Sequence, residues 1–298
     1  MIRKVLLVLF VTPILLSFAE GKERLLIDET GRSVRILDSA KRIISLAPNI
    51  TEILFALGLD EEIAGVTDYC DYPEAALRKP RIGGFSNPSI EKIVSLKPDL
   101  IIATRDGNQG ETVNRLTELG FSVYWIDPKG FDGVITTIKN VGDLVGRQEE
   151  SKEIIRKMGA RKEKIVAHTR LLPKPRVFFQ VGDAPIVTVG KGTLGDDLIR
   201  LAGGWSISEN ETLSYPVYSM ETILLKAPEA IIISSMDSKK NYPDLIKRWE
   251  NWKSIPAVKR NAIYVVDSNL TDRPTHRIVE GLEAVAGMIH PEAFGKKR

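Results

Sequence analysis

The sequence predicts an α/β protein of two similar lobes, each built on a mostly parallel sheet. One long helix joins them, and a ligand cleft lies between. Three observations predict this. Short apolar strands alternate with helical stretches along both halves. A charged, nearly Gly- and Pro-free stretch from Gly146 to Arg170 carries an apolar stripe at helical spacing, Ile154, Ile155, Met158, Ile165 and Val166. The two halves also repeat one another. The implied division is residues 1–19 a signal peptide, 20–145 an N-terminal lobe, 146–172 the connecting helix and 173–298 a C-terminal lobe.

The leader reads from its charges and length. Met1-Ile2-Arg3-Lys4 is a positive start, Val5 to Phe18 is apolar apart from Thr12, Pro13 and Ser17, and Ser17-Phe18-Ala19 offers a small-residue cleavage site. The apolar run is shorter than the roughly 20 residues a spanning helix needs. No Cys follows it, so the expectation is a cleaved, periplasmic protein and not a lipoprotein. Arg24 to Asp28 and Ser33 to Leu37 flank the Gly31 turn as a hairpin. Arg42 to Leu46 is a buried strand. Ala47-Pro48 turns it, and Asn49-Ile50-Thr51-Glu52 predicts a capping-box start to a helix that Gly58 stops. Ile63 to Val66 is the next strand. Beyond the long helix, Pro173 and Pro175 precede a strand from Arg176 to Gln180.

The repeat is the most informative feature. Glu91-Lys92-Ile93-Val94-Ser95-Leu96-Lys97-Pro98-Asp99 is answered by Glu221-Thr222-Ile223-Leu224-Leu225-Lys226-Ala227-Pro228-Glu229, each followed by a buried strand. Ser89 and Ser219 stand two before each Glu, and Phe85 and Tyr215 six before. Tyr124 to Asp127 answers Tyr264 to Asp267. Ligands of open α/β sheets sit beyond the carboxyl ends of the strands, so two facing lobes make a clam. Glu91 and Glu221 gain from the helix dipole in a first turn. Their matched placement also predicts paired docking points for arginines of a two-fold symmetric partner.

The residues then carry a resemblance. Arg42-Ile43-Ile44-Ser45-Leu46-Ala47-Pro48 with Thr51 to Gly58, Asp71-Tyr72-Pro73, Gly83 to Glu91, Leu96 to Ile101, Leu201-Ala202-Gly203-Gly204 and Arg273-Pro274 through Leu282 resemble the helical-backbone periplasmic binding proteins. That family serves cobalamin, ferric siderophore and haem importers. The resemblance implies a solute-binding protein, here a monomer, that hands a metal chelate to an ABC permease dimer with its ATPase. A corrinoid is the first candidate, a ferric siderophore or haem the next. Glu91 and Glu221 match the family's permease-docking glutamates. Tyr69, Phe85 and Tyr215 fall at aromatic cleft positions of cobalamin-binding members, and Asn269 at a polar one. Those members often carry Trp where this chain has Phe85, Thr104 and Tyr215. Arg105 is the candidate partner for a ferric chelate's anionic oxygens, since guanidinium suits planar oxygen groups.

Other classes are weaker. The 298 residues are 43% hydrophobic and 27% charged, with a net charge of +3 that falls to about +1 without Arg3 and Lys4. Such a balance gives no electrostatic case for nucleic acid. Gly190-Lys191-Gly192-Thr193-Leu194-Gly195 matches GxGxxG formally but reads as a tight strand-to-helix turn. His168, His276 and His290 lack metal-ligand spacing, so no metal site and no resident cofactor is expected. No catalytic residues are expected either: there is no GxSxG elbow or arguable nucleophile–base pair. Two alternatives stay open at this point. One is a two-lobed enzyme such as a metal chelatase, for which His276 is the histidine in a plausible cleft loop. The other is a ligand-sensing module. The single Cys70 admits no internal disulfide; it reads as a small loop residue or a ligand-site thiol.

Overall fold

The structure is a computed structural model that describes residues 23–38, 40–235 and 242–295. The expected signal peptide lies outside the described residues.

The first half opens with the predicted hairpin, β1 (Glu23–Ile27) antiparallel to β2 (Ser33–Leu37). Then come β3 (Ile43–Ser45), α1 (Pro48–Ala56), β4 (Ile63–Val66), α2 (Ile90–Ser95), β5 (Leu100–Thr104), α3 (Gly110–Glu118), β6 (Val123–Ile126) and α4 (Gly130–Leu144). Its sheet has the order β4-β3-β5-β6, parallel throughout. The start of α1 corrects one expectation. Ala47 is its N-cap without a side-chain bond, and Pro48 occupies the first turn. The fixed φ of proline preorganises that turn, so Asn49 and Glu52 do not form a capping box. The Glu52 carboxylate is engaged elsewhere.

The long helix follows as α5 (Gln148–Thr169), 22 residues. It starts two residues later than expected because Gly146, at φ +72°, makes the turn out of α4. The second half contains β7 (Arg176–Asp183), β8 (Ile186–Thr188), α6 (Leu194–Leu201), β9 (Trp205–Ser206), α7 (Met220–Lys226), β10 (Ala230–Ser235), α8 (Tyr242–Glu250), α9 (Pro256–Lys259), β11 (Ile263–Asp267), α10 (Ser268–Thr271) and α11 (Ile278–Ile289). In its sheet β10 lies between β7 and β11, all parallel, with β9 parallel to β7 and β8 antiparallel to it. The β9-β7-β10-β11 path repeats β4-β3-β5-β6.

Strand alternation sorts the apolar residues into layers. Ile43, Leu100 and Ile102 of the first sheet and Val177, Phe179 and Ile232 of the second join one buried cluster. That cluster also takes in α1, α4, α5, α6 and α11, through residues such as Leu54, Ile138, Ile165, Leu198 and Val285. Their neighbours Ile44 and Ile101 face a separate outer core, and Phe178 and Ile231 another. The two halves therefore share a continuous apolar middle.

Candidate functional site

A cleft of about 880 Å³ lies between the halves. Its wall comes from loops at the carboxyl ends of the parallel strands, as expected for open α/β sheets. Of the predicted ligand residues, Tyr69, Phe85, Tyr215 and Asn269 all line it. Tyr69 is 61% and Tyr215 58% exposed, so each presents an open ring. Phe85 is half-buried and packs on Gly107: a Cβ there would sit 2.0 Å from its ring. Arg105 is not among the lining residues. Its guanidinium pairs with Asp127 at 3.7 Å. Lys129 does line the cleft, 2.9 Å from Asp127 and 3.2 Å from Asp106. Burial lowers the Lys129 pKa, but the hydrogen bonds and charges of Asp127 and Asp106 outweigh it and hold the ammonium above its ordinary value.

Two further residues around the cleft, Asn108 and Asp272, carried no legible signal in the sequence. Asn108 is buried and ties three cleft segments together. Its amide donates to Leu46 O at 2.9 Å and Phe85 O at 2.8 Å, while its oxygen accepts from Thr104 N at 2.8 Å. Asp272 lines the cleft and accepts from Ser234 Oγ and Thr271 Oγ1, both at 2.9 Å. Burial pushes its carboxyl up to about 6, against those hydrogen bonds. Arg273 also lines the cleft. Desolvation, with the charges of Asp106 and Asp272, likewise raises the Tyr215 phenol. A polar Asp or Asn in a loop is the commonest turn residue, which is why sequence alone did not separate Asn108 and Asp272 from turn formers.

The docking candidates and Cys70 fall outside the cleft. Glu91 and Glu221 are exposed in the first turns of α2 and α7. Ser89 and Ser219 cap those turns, accepting from Lys92 N at 3.3 Å and Thr222 N at 3.2 Å. The Ser219 hydroxyl holds the Glu221 carboxyl below its ordinary value. Cys70 is buried, with Thr51 Oγ1 3.1 Å and Thr67 Oγ1 3.2 Å from its sulfur, and burial pushes its thiol up. It anchors the loop that carries Tyr69. In the GxGxxG-like turn, Gly190 admits the backbone of Leu213: a Cβ would sit 2.0 Å from its carbonyl oxygen. Thr193 caps α6.

Against this geometry, the family model described as "Periplasmic binding protein" matches residues 43–270. The chain belongs to the periplasmic binding protein family. Periplasmic binding proteins are non-enzymatic components of ABC importers that work with a permease and an ATPase, in the periplasm or outside the cell. This periplasmic binding protein is 32% identical over 246 residues to the vitamin B12-binding protein of Vibrio vulnificus, covering 82% of this chain and 88% of the relative. The crystal structure of the periplasmic vitamin B12-binding protein of Vibrio cholerae superposes with a TM-score of 0.75 at 30% identity, covering 86% of this chain and 99% of that one. A Staphylococcus epidermidis protein described as "a possible iron-binding (periplasmic solute-binding) protein" gives 0.75 at 29% identity, covering 85% and 99%.

Proposed function

We propose that the cleft captures a corrinoid, with cobalamin the first candidate, and that the protein delivers it to an ABC permease dimer. One observation carries the reading: aromatic rings from both halves, Tyr69 and Phe85 on one side and Tyr215 on the other, share a cleft with Asn269 and the charged groups of Lys129, Asp272 and Arg273. A corrinoid is a broad chelate with an apolar face and an amide-bearing rim. Aromatic rings cover such a face, and a few placed donors and acceptors meet the rim. The cleft volume, about 880 Å³, is at the upper end for small-molecule sites. Relatives named as vitamin B12-binding proteins support the choice.

A ferric siderophore, then haem, is the second reading. It is favoured by the Lys129 ammonium on the wall and by the iron-binding description of the Staphylococcus relative. On that reading Arg105, next to the cleft-lining Asp106, would be substituted after Lys129. In either case the metal arrives as cargo inside its chelate. Residues 1–19 direct export to the periplasm without a lipid anchor, the monomer divides into lobes 20–145 and 173–298 about the 146–172 connector, and Glu91 and Glu221 dock the two lobes on the permease.

Calorimetric titration of residues 20–298 with cyanocobalamin tests the assignment. Tight one-to-one binding is expected. No heat from a folded sample sinks the corrinoid reading and moves the titration to ferric siderophores and haemin.

A further inference from the structure

We propose that Glu52, which does not itself line the cleft, is a positioning residue: it holds Arg273 on the cleft wall and fixes the two halves relative to each other. Glu52 lies on α1 of the first half, with its side chain fully buried. Both of its oxygens face arginines of the second half. Arg273 Nη1 is 3.1 Å from Oε1, and Arg277 Nη1 is 3.5 Å from Oε2. Arg273 Nη1 also donates to Asp71 Oδ1 at 2.6 Å. The Arg277 guanidinium lies 3.9 Å from the centroid of the Tyr72 ring. Two carboxylates of the first half thus meet two guanidiniums of the second.

The loop that carries Asp71 and Tyr72 is itself pinned. Arg81 Nη1 donates to Thr67 O at 2.6 Å and Cys70 O at 3.0 Å. Cys70 is wedged against Thr51, the residue before Glu52. The cluster therefore rests on a rigid base in the first half and grips the segment from Asp272 to Ile278 in the second. Arg273 is the member that reaches the cleft, alongside Pro48, Asn49 and Tyr69 of the first half.

The energetics favour a geometric role over a stabilising one. Taking a carboxylate and two guanidiniums out of water is costly, and an apolar filling of the same space is often at least as stable. The apolar middle shared by the halves is non-directional and tolerates small rotations. Charge-assisted hydrogen bonds are directional and set one register. Breaking the tie leaves Glu52 buried and unpaired, so rotation at this end of the cleft is strongly resisted. Asp71 is the releasable arm: its side chain is 56% exposed, against 0% for Glu52.

The inference rests on the cleft being the ligand site only for its affinity arm. The first measurement is the inter-lobe distance distribution of the ligand-free protein, from spin labels at Glu118→Cys and Lys253→Cys, with buried Cys70 left in place. Glu52→Gln is expected to broaden that distribution. It is also expected to weaken cyanocobalamin binding by about tenfold. In an Arg273→Gln background the same substitution should cost less than about a further twofold in affinity, because Arg273, and not Arg277, is the arginine of the tie that lines the cleft. An unchanged distribution, or a full independent loss of affinity in the Arg273→Gln background, overturns the proposal. Should Glu52→Gln fail to fold, Asp71→Asn loosens the same tie from its exposed side and must broaden the distribution; no broadening there also overturns it. If the unaltered protein ignores cyanocobalamin, the corrinoid reading fails, and the distance measurement alone decides the role of Glu52.

Discussion

Lys97 and Ala227 hold the same backbone conformation, φ 47°, at the C-terminal ends of α2 and α7. Each precedes a proline, which disfavours the right-handed helical region for the residue before it. Each carbonyl accepts from an arginine Nε at the start of the neighbouring strand, Lys97 from Arg42 at 3.2 Å and Ala227 from Arg176 at 3.0 Å. The next acidic residue then closes the turn: Asp99 accepts from Arg42 N at 3.0 Å and Glu229 from Arg176 N at 3.1 Å. The two halves are built around one turn, used twice.

That turn yields a stability prediction. A left-handed residue with a Cβ costs about 1–2 kcal/mol, and glycine removes the penalty at an unfolded-state cost of about 0.4–1 kcal/mol. Lys97→Gly and Ala227→Gly should each stabilise the protein by about 0.5 kcal/mol, and the two gains should add, since the sites lie in separate lobes. Urea unfolding monitored by tryptophan fluorescence reads this directly. A lower midpoint for either variant would contradict the argument.

Glu91 and Glu221 carry the transport prediction. Both are exposed on the repeated helices and neither lines the cleft. Replacing both with Ala should leave ligand affinity and folding unchanged while abolishing uptake in cells that hold the cognate permease. Unchanged uptake by the double variant would refute the docking role.

Much of this is legible in the sequence. Glu91 and Glu221 sit in first helical turns, Pro98 and Pro228 end helices, and continuous runs such as Leu100 to Ile102 mark buried strands. These are local effects, and local spacing encodes them. Tyr69, Phe85, Tyr215 and Asn269 came from the repeat and the family resemblance. What stayed hidden is non-local. Glu52 looked like a capping residue because its partners Arg273 and Arg277 lie more than two hundred positions away. Lys129, rather than Arg105, faces the cleft because of how the chain leaves β6, and nothing in the sequence ranks two loop cations. Asn108 joins Leu46, Phe85 and Thr104, three points of the chain that only the folded loops bring together.

The aromatic walls give the affinity prediction. Tyr69 and Tyr215 are largely exposed, so Tyr69→Ala and Tyr215→Ala should barely change stability. Each should weaken cyanocobalamin binding by about tenfold or more, the scale of losing a large aromatic contact. Gly107→Ala should act through Phe85, because the added Cβ meets that ring and Gly107 sits at φ +111°. It should lower both stability and affinity. Calorimetry on the three variants separates the direct losses from the indirect one, and wild-type affinity in both Tyr variants would remove the rings from the site.

The last prediction concerns acid. His276 is pulled down to about 4 by burial, with the charge of Arg277 adding to the effect, and its buried Nδ1 has no partner among the described residues. The unfolded chain therefore binds this proton first. The stability from neutral His276 is complete above about pH 6.5 and is lost as pH falls through about 4. Asp272 has the opposite sign. Its folded value of about 6 lies above an unfolded value of about 4, so the stability it confers is complete below about pH 4 and is lost as pH rises through about 6. Each effect is up to about 3 kcal/mol, and over this window they largely cancel. Asp272→Asn should therefore make the protein more acid-sensitive than the unaltered chain, with urea midpoints falling further between pH 7.5 and 4.5. His276→Gln should shift the pH slope the other way. The variant-minus-parent difference isolates each group from all other titrations, and an unaltered slope in Asp272→Asn would mean that the cleft carboxyl is hydrated enough to titrate normally.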